Sequence, residues 1–374
     1  MFFYIGESCD LLTQSNPGLF LDEGWTHAVL NKTPVWYKGY STECILSDNV
    51  EKILQGYQPS GIWAMVSYNG TYALHIPTPG AFILYKQNDS YTNLALDGYE
   101  PVLNKPLTID LTDKRTVNEV TETIKNILVE NCLNYKHPIN IWCSGGMDST
   151  SLIAICEYAN IPYNIYVAKL KDSYKSLKDS EGTVQEYESP LIDFCRKTYW
   201  AYEFLSIYKN PMSLTLGFYG DEFMCRNIWQ MQLVANALGK TLGQVVSEQD
   251  YVYKHLSKPK FASLKSHLEN VSTETLKKQL FDSVGRGQVW HIDNTETFCP
   301  YYDFRITQAV LSLEWSDILE QGRTLNIQRN IISSCCSDVL YLVDDFKNSK
   351  DDRHNFFNNI KNVTLKYCKN IVVV

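Results

Sequence analysis

The feature of this sequence that most constrains its fold is an apolar pentapeptide joined by a turn of small residues to a longer apolar stretch. Residues 139–143 (INIWC) are short and apolar enough to indicate a buried parallel strand. Residues 144–150 (SGGMDST) indicate a tight turn, and residues 151–159 (SLIAICEYA) are typical of a helix. The pattern predicts a strand, a turn and a helix in direct succession.

The turn has the chemistry of an anion-binding site. Gly145 and Gly146 can adopt positive φ and let another group approach the backbone closely. The N–H groups at the start of the next helix carry roughly half a positive charge, so a phosphate is favoured beside them. Ser144, Ser149 and Thr150 add hydroxyl donors. We therefore predict a phosphate-binding turn, although it lacks the Gly-Lys-Ser/Thr ending of a Walker loop.

The six residues SGGMDS at 144–149, placed after a strand, resemble the pyrophosphate loop of the N-type ATP pyrophosphatases. This superfamily includes asparagine synthetases, β-lactam synthetases, GMP and NAD synthetases, and several nucleobase- and tRNA-modifying enzymes. The alternative is an ordinary helix N-cap after a Gly-Gly turn, with Asp148 compensating the helix dipole. That alternative accounts for one acid and one cap, but not for two glycines and two serines together.

The resemblance implies an α/β fold for residues 111–374, with a doubly wound parallel sheet that binds ATP at the carboxyl ends of its strands. Residues 163–170 predict a second parallel strand, and Val167 would then end near the adenine. Residues 202–208 predict a third strand, and residues 116–132 have the apolar spacing of a helix that precedes the loop strand.

Residues 1–110 predict a separate first domain of the α+β class. A helix is expected at 50–57, and short strands are expected at 61–68, 71–76, 81–86 and 91–96. Asn69-Gly70 is a type I′ hairpin signal and favours one continuous meander. This order resembles the Ntn-hydrolase-like glutaminase domain at the N-terminus of asparagine synthetases, in a degenerate form.

The N-terminus departs from that family at the residue that carries the glutaminase chemistry. The family's glutaminases use an N-terminal cysteine, exposed when the initiator Met is removed, as nucleophile and base. This chain has Phe2 at that position, and its nearest thiol, Cys9, is internal and has no free α-amine beside it. We therefore predict that the domain does not hydrolyse glutamine. β-Lactam synthetases and lasso-peptide cyclases also keep such a domain without the cysteine.

A later segment predicts a second acid at the same site. Residues 214–222 (LTLGFYGDE) resemble the Ser-Gly-x-Gly-x-Asp-Glu segment of asparagine synthetases, with Gly217, Asp221 and Glu222 in matching places. The resemblance implies that Asp221 and Asp148 hold magnesium, which prefers one or two carboxylates together with phosphate oxygens and water. The alternative is that Asp221 and Glu222 cap a helix at 223–238.

Two further segments resemble parts of the asparagine synthetase site. PYYD at 300–303 resembles the family's Pro-Phe-Leu-Asp, which shapes the substrate side, and a proline turn with an Asp helix cap explains it equally well. Arg329 matches the arginine of the family's Lys-x-x-Leu-Arg stretch. The family lysine is missing, because its expected positions hold Leu325 or Asn326.

Together these resemblances imply an ATP-dependent, AMP-forming amide ligase with ATP and Mg²⁺ as cofactors. Asp148, Glu222 and Arg329 are the candidate catalytic residues, with Glu222 as a possible base for the amine. The substrates would be a small carboxylate, such as aspartate or another amino acid, and ammonia or another amine. The alternatives are a nucleotide-binding pseudoenzyme that has lost turnover and a PP-loop enzyme that modifies a nucleobase or tRNA.

Composition and charge restrict the classes of ligand and the cellular compartment that we expect for this chain. A chain of 374 residues predicts two domains, and its formal net charge of −8, without a basic stripe, makes nucleic acid an unlikely ligand. The 11 cysteines are scattered without a Cys-x-x-Cys pair, which favours reduced thiols in the cytoplasm. We expect neither a signal peptide nor a membrane span, and a homodimer is possible.

Overall fold

The computed structural model describes parts of both predicted domains. The described residues are 3–5, 18–22, 24–77, 84–93, 100–102, 110–143, 146–167, 214–217, 220–225, 239, 277, 297–348, 360 and 362–373. They form a mixed α/β structure. The chain divides into a first unit (Met1–Tyr135, Tyr219–His291 and Pro300–Ile327) and a second unit (Lys136–Phe218, Ile292–Cys299 and Gln328–Val374).

The strands and helices are numbered here in chain order. The described strands are β1 (Phe3–Ile5), β2 (Leu19–Leu21), β3 (Thr26–Leu30), β4 (Thr33–Ser41), β5 (Gly61–Tyr68), β6 (Tyr72–His75), β7 (Leu84–Gln87), β8 (Ser90–Thr92), β9 (Glu100–Val102), β10 (Ile139–Trp142), β11 (Tyr163–Val167), β12 (Leu214–Leu216), β13 (Thr297–Phe298) and β14 (Cys368–Val373). The described helices are α1 (Leu46–Leu54), α2 (Val117–Leu133), α3 (Met147–Tyr158), α4 (Gly220–Phe223), α5 (Phe304–Leu311), α6 (Trp315–Thr324) and α7 (Asn326–Asn348), the last broken at Cys336.

The first unit contains two antiparallel sheets, ordered β3-β4-β5-β6 and β2-β1-β8-β7-β9. Side chains alternate between the two faces of β5, as the pleat of a strand requires. Trp63 and Met65 pack against Val50 of α1. Val66 points to the opposite face and packs against Ile5 and Leu19 of the second sheet. Helix α1, the four-stranded sheet and the five-stranded sheet therefore form three successive layers.

The prediction of one continuous meander in this unit is wrong. The predicted strands at 61–68 and 71–76 are observed as the neighbours β5 and β6, but β7 and β8 belong to the other sheet. The pleated pattern of a strand shows which face is buried, but it does not show which strand will be its neighbour. The partners are set by the packing of whole sheets.

The turn prediction at Asn69-Gly70 is also wrong in its type. Pairing of Tyr68 with Tyr72 leaves a three-residue loop, in which Gly70 alone has positive φ, at 80°. A type I′ turn needs positive φ at both of its central residues, and this loop has it at one. A two-residue hairpin loop with positive φ at both residues lies instead at Asn31 and Lys32 (50° and 69°), between β3 and β4.

The second unit contains a parallel sheet with the order β13-β12-β10-β11-β14. The predicted strand–turn–helix–strand succession is confirmed as β10, α3 and β11. Helix α3 begins at Met147, four residues before the start expected from its apolar stretch, so the turn residues 147–150 form its first turn. The predicted strand at 202–208 lies outside the described residues.

Strand order reverses at β10, because β11 lies on one side of it and β12 on the other. The segment that sequence reasoning left unassigned, near the end of the chain, forms β14 and pairs in parallel with β11. The carboxylate of Glu157, on α3, accepts from the backbone N–H groups of Lys366 and Tyr367 at 2.9 and 3.0 Å, just before β14 begins. This contact fixes where the strand enters the sheet.

Three asparagines form a ladder across this sheet. Asn164 of β11 donates from Nδ2 to Oδ1 of Asn140 on β10 at 2.8 Å, and its own Oδ1 accepts from Nδ2 of Asn370 on β14 at 3.0 Å. The three residues face one another in the backbone register. Because a shift by one residue would break both amide contacts, the ladder specifies the register of the three strands.

Replacing the central amide should destabilise the sheet. Asn164→Leu keeps the side-chain volume but removes both inter-strand bonds at a position that is only 8% exposed. We expect the free energy of unfolding, measured in urea by circular dichroism, to fall by about 1–3 kcal/mol. Asn370→Leu is the control: this end of the ladder is exposed, water replaces its bond, and the loss should stay below about 1 kcal/mol. Equal losses in both variants would contradict a role for the buried ladder.

Candidate functional site

The candidate site lies where β10 ends and α3 begins. Gly146 is the N-cap of α3 and has φ −81° and ψ 164°. This extended conformation is normal for an N-cap and open to any residue, so the positive φ that we allowed for Gly146 is not adopted. Ser144 and Gly145 lie outside the described residues.

The hydroxyl groups of the turn close the first turn of α3. Ser149 Oγ and Thr150 Oγ1 both donate to the carbonyl oxygen of Gly146, at 3.2 and 2.8 Å. Both side chains are buried, and Thr150 is completely so. In this structure these hydroxyls support the helix start. An anion bound at this turn would therefore be held by backbone N–H groups, since the first N–H groups of an α-helix have no partner within the helix.

Gly217 lets β12 approach the start of α3. It follows the last residue of β12, and a Cβ atom placed on it would lie 2.7 Å from the backbone nitrogen of Ser149 and 3.0 Å from the carbonyl carbon of Asp148. Real Cβ atoms essentially never come that close to backbone. A steric requirement for glycine therefore places residue 217 against the first turn of α3, and the predicted part of Gly217 in ATP binding stays a prediction.

A buried hydroxyl group lies under the same junction. Thr215 is two residues before Gly217, on the same side of the strand, and is fully buried. Its Oγ1 has no hydrogen-bond partner among the described residues. The carboxyl ends of β10 and β12 thus meet the N-terminus of α3 where the strand order reverses. In open parallel sheets this is where ligands bind.

Asp148 lies in the first turn of α3 and is half-buried. Its Oδ1 accepts a bond of 3.4 Å from Nε2 of Gln328, a fully buried residue of α7. An acid at this position of a helix is stabilised by the helix dipole. The carboxylate is thus held beside the proposed phosphate position by a neutral donor.

Sequence reasoning missed Gln328. The stretch around it was singled out for its resemblance to Lys-x-x-Leu-Arg, but only cationic residues were sought there. Arg329 follows Gln328 directly and is half-buried. Adjacent residues of a helix point about 100° apart, so the two side chains do not face the same way. The contact that the described residues show for Asp148 on this helix is with the amide of Gln328.

The remaining candidates are only partly described. Val167 ends β11, beside β10 in the sheet, and Asp221 and Glu222 lie in the short helix α4, but the side chains of these three residues lie outside the described part. The pairing of Asp148 with Asp221 around magnesium therefore stays a prediction. Within the described ranges, no group of three or more His, Cys, Asp or Glu side chains could hold a metal ion. Cys9 and Phe2 lie outside the described residues.

The segment at 300–303 is explained by the helix-cap alternative. Asp303 is fully buried and is the N-cap of α5, accepting from the backbone N–H of Arg305 at 2.9 Å. Its Oδ2 also accepts from Nη2 of Arg305 (2.8 Å), Nδ2 of Asn131 (3.1 Å) and Oγ1 of Thr42 (3.3 Å). This carboxylate joins α2, α5 and the end of β4 in the first unit, and these bonds account for its burial.

A buried lysine in the first unit is likewise committed to packing. Lys277 Nζ donates to the carbonyl oxygens of Leu311, the last residue of α5, and Leu313, two residues beyond it, at 2.8 and 2.5 Å. A cation is favoured at a helix C-terminus. Burial lowers the pKa of Lys277, and repulsion from Lys114 adds to the effect. Its bonds to these carbonyls show a structural role for this lysine.

Comparison of the sequence with protein-family models and with curated proteins finds no match. Among the described residues, no helix has the length and apolar character needed to cross a membrane. The functional argument consequently rests on the geometry at the β10–α3 junction and on the motif that occupies it.

A side chain at position 217 should disturb α3 selectively. Gly217→Ala forces a methyl group against the backbone of Ser149, and overpacking of this kind costs about 1–3 kcal/mol. We expect hydrogen exchange in peptides from α3, measured by mass spectrometry, to speed up by about tenfold. Gly70→Ala is the control, because its Cβ would meet nothing within 4 Å and its strained φ lies in the β5–β6 loop. If amide hydrogen exchange in α3 is unchanged in Gly217→Ala, the junction accommodates the added methyl group and the prediction is wrong.

Loss of the buried acid should destabilise the first unit. Asp303→Ala removes the buried one of two acidic partners of Arg305, the other being Glu130, and should cost on the order of 3 kcal/mol in the free energy of unfolding, measured in urea. Asp303→Asn keeps an acceptor at the N-cap and should cost less. Asp48→Ala, at an exposed first-turn acid of α1, should cost below about 1 kcal/mol. If the free energy of unfolding falls no further in Asp303→Ala than in Asp48→Ala, Asp303 does not have the structural role that we assign to it.

Proposed function

We propose that the protein is an ATP-dependent amide ligase that forms AMP and diphosphate. A carboxylate oxygen of a small acid attacks the α-phosphorus of ATP, the bond to the bridging oxygen breaks, and diphosphate leaves. An amine then attacks the acyl carbon of the adenylate, loses a proton, and displaces AMP. The acid would be aspartate or another amino acid, and the amine would be ammonia or a second substrate.

The observation that carries this proposal is the position of the SGGMDS motif. Its helix starts directly after β10, at the reversal of strand order, and Gly217 keeps the end of β12 in backbone contact with it. A doubly wound PP-loop fold would place the diphosphate of ATP at this helix N-terminus. The motif and its place in the sheet support the same ligand independently, one through residue chemistry and the other through topology.

The residues at the junction fit a magnesium nucleotide. Asp148 supplies a half-buried carboxylate in the first turn of α3, and magnesium on ATP requires few protein ligands because phosphate oxygens and water complete its coordination. The ion would neutralise the charge of the leaving diphosphate. Asp221 is the proposed second carboxylate, Arg329 the proposed source of positive charge, and Glu222 the proposed base for the amine.

The same geometry also supports an alternative, in which the protein binds a nucleotide but does not catalyse a reaction. The cation that asparagine synthetases place near the phosphates has no counterpart at Leu325 or Asn326, and the described side-chain contact of Asp148 is with a neutral amide. Removal of one preorganised charge from such a site typically costs about 10²–10³ in rate. A protein with this site would bind ATP and act as a nucleotide-dependent partner or regulator.

The first unit is the proposed glutaminase-like domain. Its two antiparallel sheets with α1 on one face are compatible with the proposed Ntn-hydrolase-like class. We propose ammonia, or an amine on one of the substrates, as the nucleophile, and glutamine should release no glutamate in the presence of the protein.

Nucleotide product analysis tests the proposal. The protein is incubated with Mg·ATP and a panel of amino acids, with and without ammonium, and AMP and diphosphate are quantified by chromatography. We expect AMP formation that depends on one acid and falls by about 10²-fold or more in Asp148→Asn. Asp338→Asn, an exposed acid on α7, is the control and should retain full activity.

Other products would decide between the alternatives. ATP binding without AMP under every condition would favour the pseudoenzyme, and retention on RNA at moderate salt would favour the nucleobase-modifying class. ADP and phosphate would mean that the turn at 144–150 does not act as a pyrophosphate loop.

A further inference from the structure

Gln328 is an unusual residue for its surroundings. It is completely buried, and the later residues Ile331 and Ile332 on the same helix are buried and apolar. Burying an amide costs about 1–3 kcal/mol unless it is hydrogen-bonded, so packing alone would be served better by another aliphatic side chain. The polar group of Gln328 therefore has a role, and the described contact of that group is with Oδ1 of Asp148.

The amide that contacts Asp148 is a neutral hydrogen-bond donor. A glutamine amide donates an N–H group without carrying charge, so it orients a carboxylate and leaves its negative charge in place. A lysine or arginine at this point would form an ion pair with Asp148 and compete with any bound cation. Partners that hydrogen-bond to metal-binding carboxylates typically change metal affinity by 10- to 100-fold when they are removed.

The contact between Gln328 and Asp148 is long for a hydrogen bond. At 3.4 Å, the distance from Nε2 to Oδ1 exceeds the usual 2.7–3.2 Å of an N–H···O bond. Because Gln328 is buried, its amide can adjust by small rotations but cannot turn away into solvent.

From these observations we infer that Gln328 is a positioning residue, which orients the Asp148 carboxylate toward the magnesium ion of Mg·ATP while preserving its charge. This inference rests on the proposed function and adds to it the group that prepares the metal ligand. In this role Gln328 acts through Asp148 rather than on the nucleotide or the reacting atoms. Its effect should therefore appear in the metal dependence of nucleotide binding.

The test compares nucleotide affinity with and without metal. α,β-Methylene-ATP, which cannot release diphosphate, is titrated calorimetrically into the full-length protein with Mg²⁺ or with EDTA. In wild type we expect Mg²⁺ to tighten binding. Gln328→Met keeps the length of the side chain but removes the donor, and should reduce that tightening by about tenfold with little change in metal-free affinity. Gln328→Lys should abolish it, because the ammonium group neutralises Asp148.

A second buried glutamine provides the matched control. Gln321 is also fully buried, and its Oε1 accepts from the backbone N–H of Ile327 at 2.9 Å. Gln321→Met should lower the thermal midpoint, while Mg²⁺ tightens nucleotide binding as it does in wild type. This separates the loss of a buried amide in general from the loss of the contact with Asp148.

The possible results distinguish the two proposals. If wild type binds the nucleotide in neither condition, the proposed function fails. If Mg²⁺ tightens binding equally in wild type and Gln328→Met, the positioning role is wrong and the proposed function stands. Equal losses of metal-free and metal-bound affinity in Gln328→Met, with a lower thermal midpoint, would assign Gln328 to packing and overturn the inference.

Discussion

The second unit depends on the close approach of two backbones, the end of β12 and the first turn of α3. Gly217 makes this approach possible because any Cβ atom there would overlap the backbone nitrogen of Ser149. The contact joins the two central parallel strands to the helix start at the reversal of strand order. A site formed by backbone groups requires such a contact, because the packing of the helix fixes where its N–H donors lie.

Asp303 and Asp148 lie in different environments. Asp303 is fully buried and accepts bonds from a guanidinium, an amide, a hydroxyl and a backbone N–H group. A carboxylate with so many donors is committed to structure. Asp148 is half-buried, and its described contact is with a neutral amide at 3.4 Å. This contrast in environment, rather than residue type, separates the proposed ligand from the structural acid.

Several parts of the fold were determined by local sequence alone. The strand at β10, the helix α2 and the strand β5 have clear periodicity, and α2 also has a capping box of Thr116 and Glu119. The SGGMDS motif indicated a turn between strand and helix, and the structure has α3 begin at Met147, directly after this turn. These features involve residues within a few positions of one another, so their physical causes are present in any short window of the chain.

Only the tertiary structure decided which distant segments meet. The amide of Gln328 reaches Asp148 across 180 positions, Asn370 extends the ladder begun by Asn140 and Asn164, and β7 joins a different sheet from β6. A pattern of apolar and polar residues predicts whether a side chain is buried or exposed. It does not predict which distant residue that side chain will contact. The neighbours are selected by the joint packing of sheets and helices, in which register, steric fit and hydrogen bonding must be satisfied together. For this reason the sequence by itself determined the strand, the turn and the helix on which the proposed phosphate site depends, and the tertiary structure determined which distant side chain contacts Asp148.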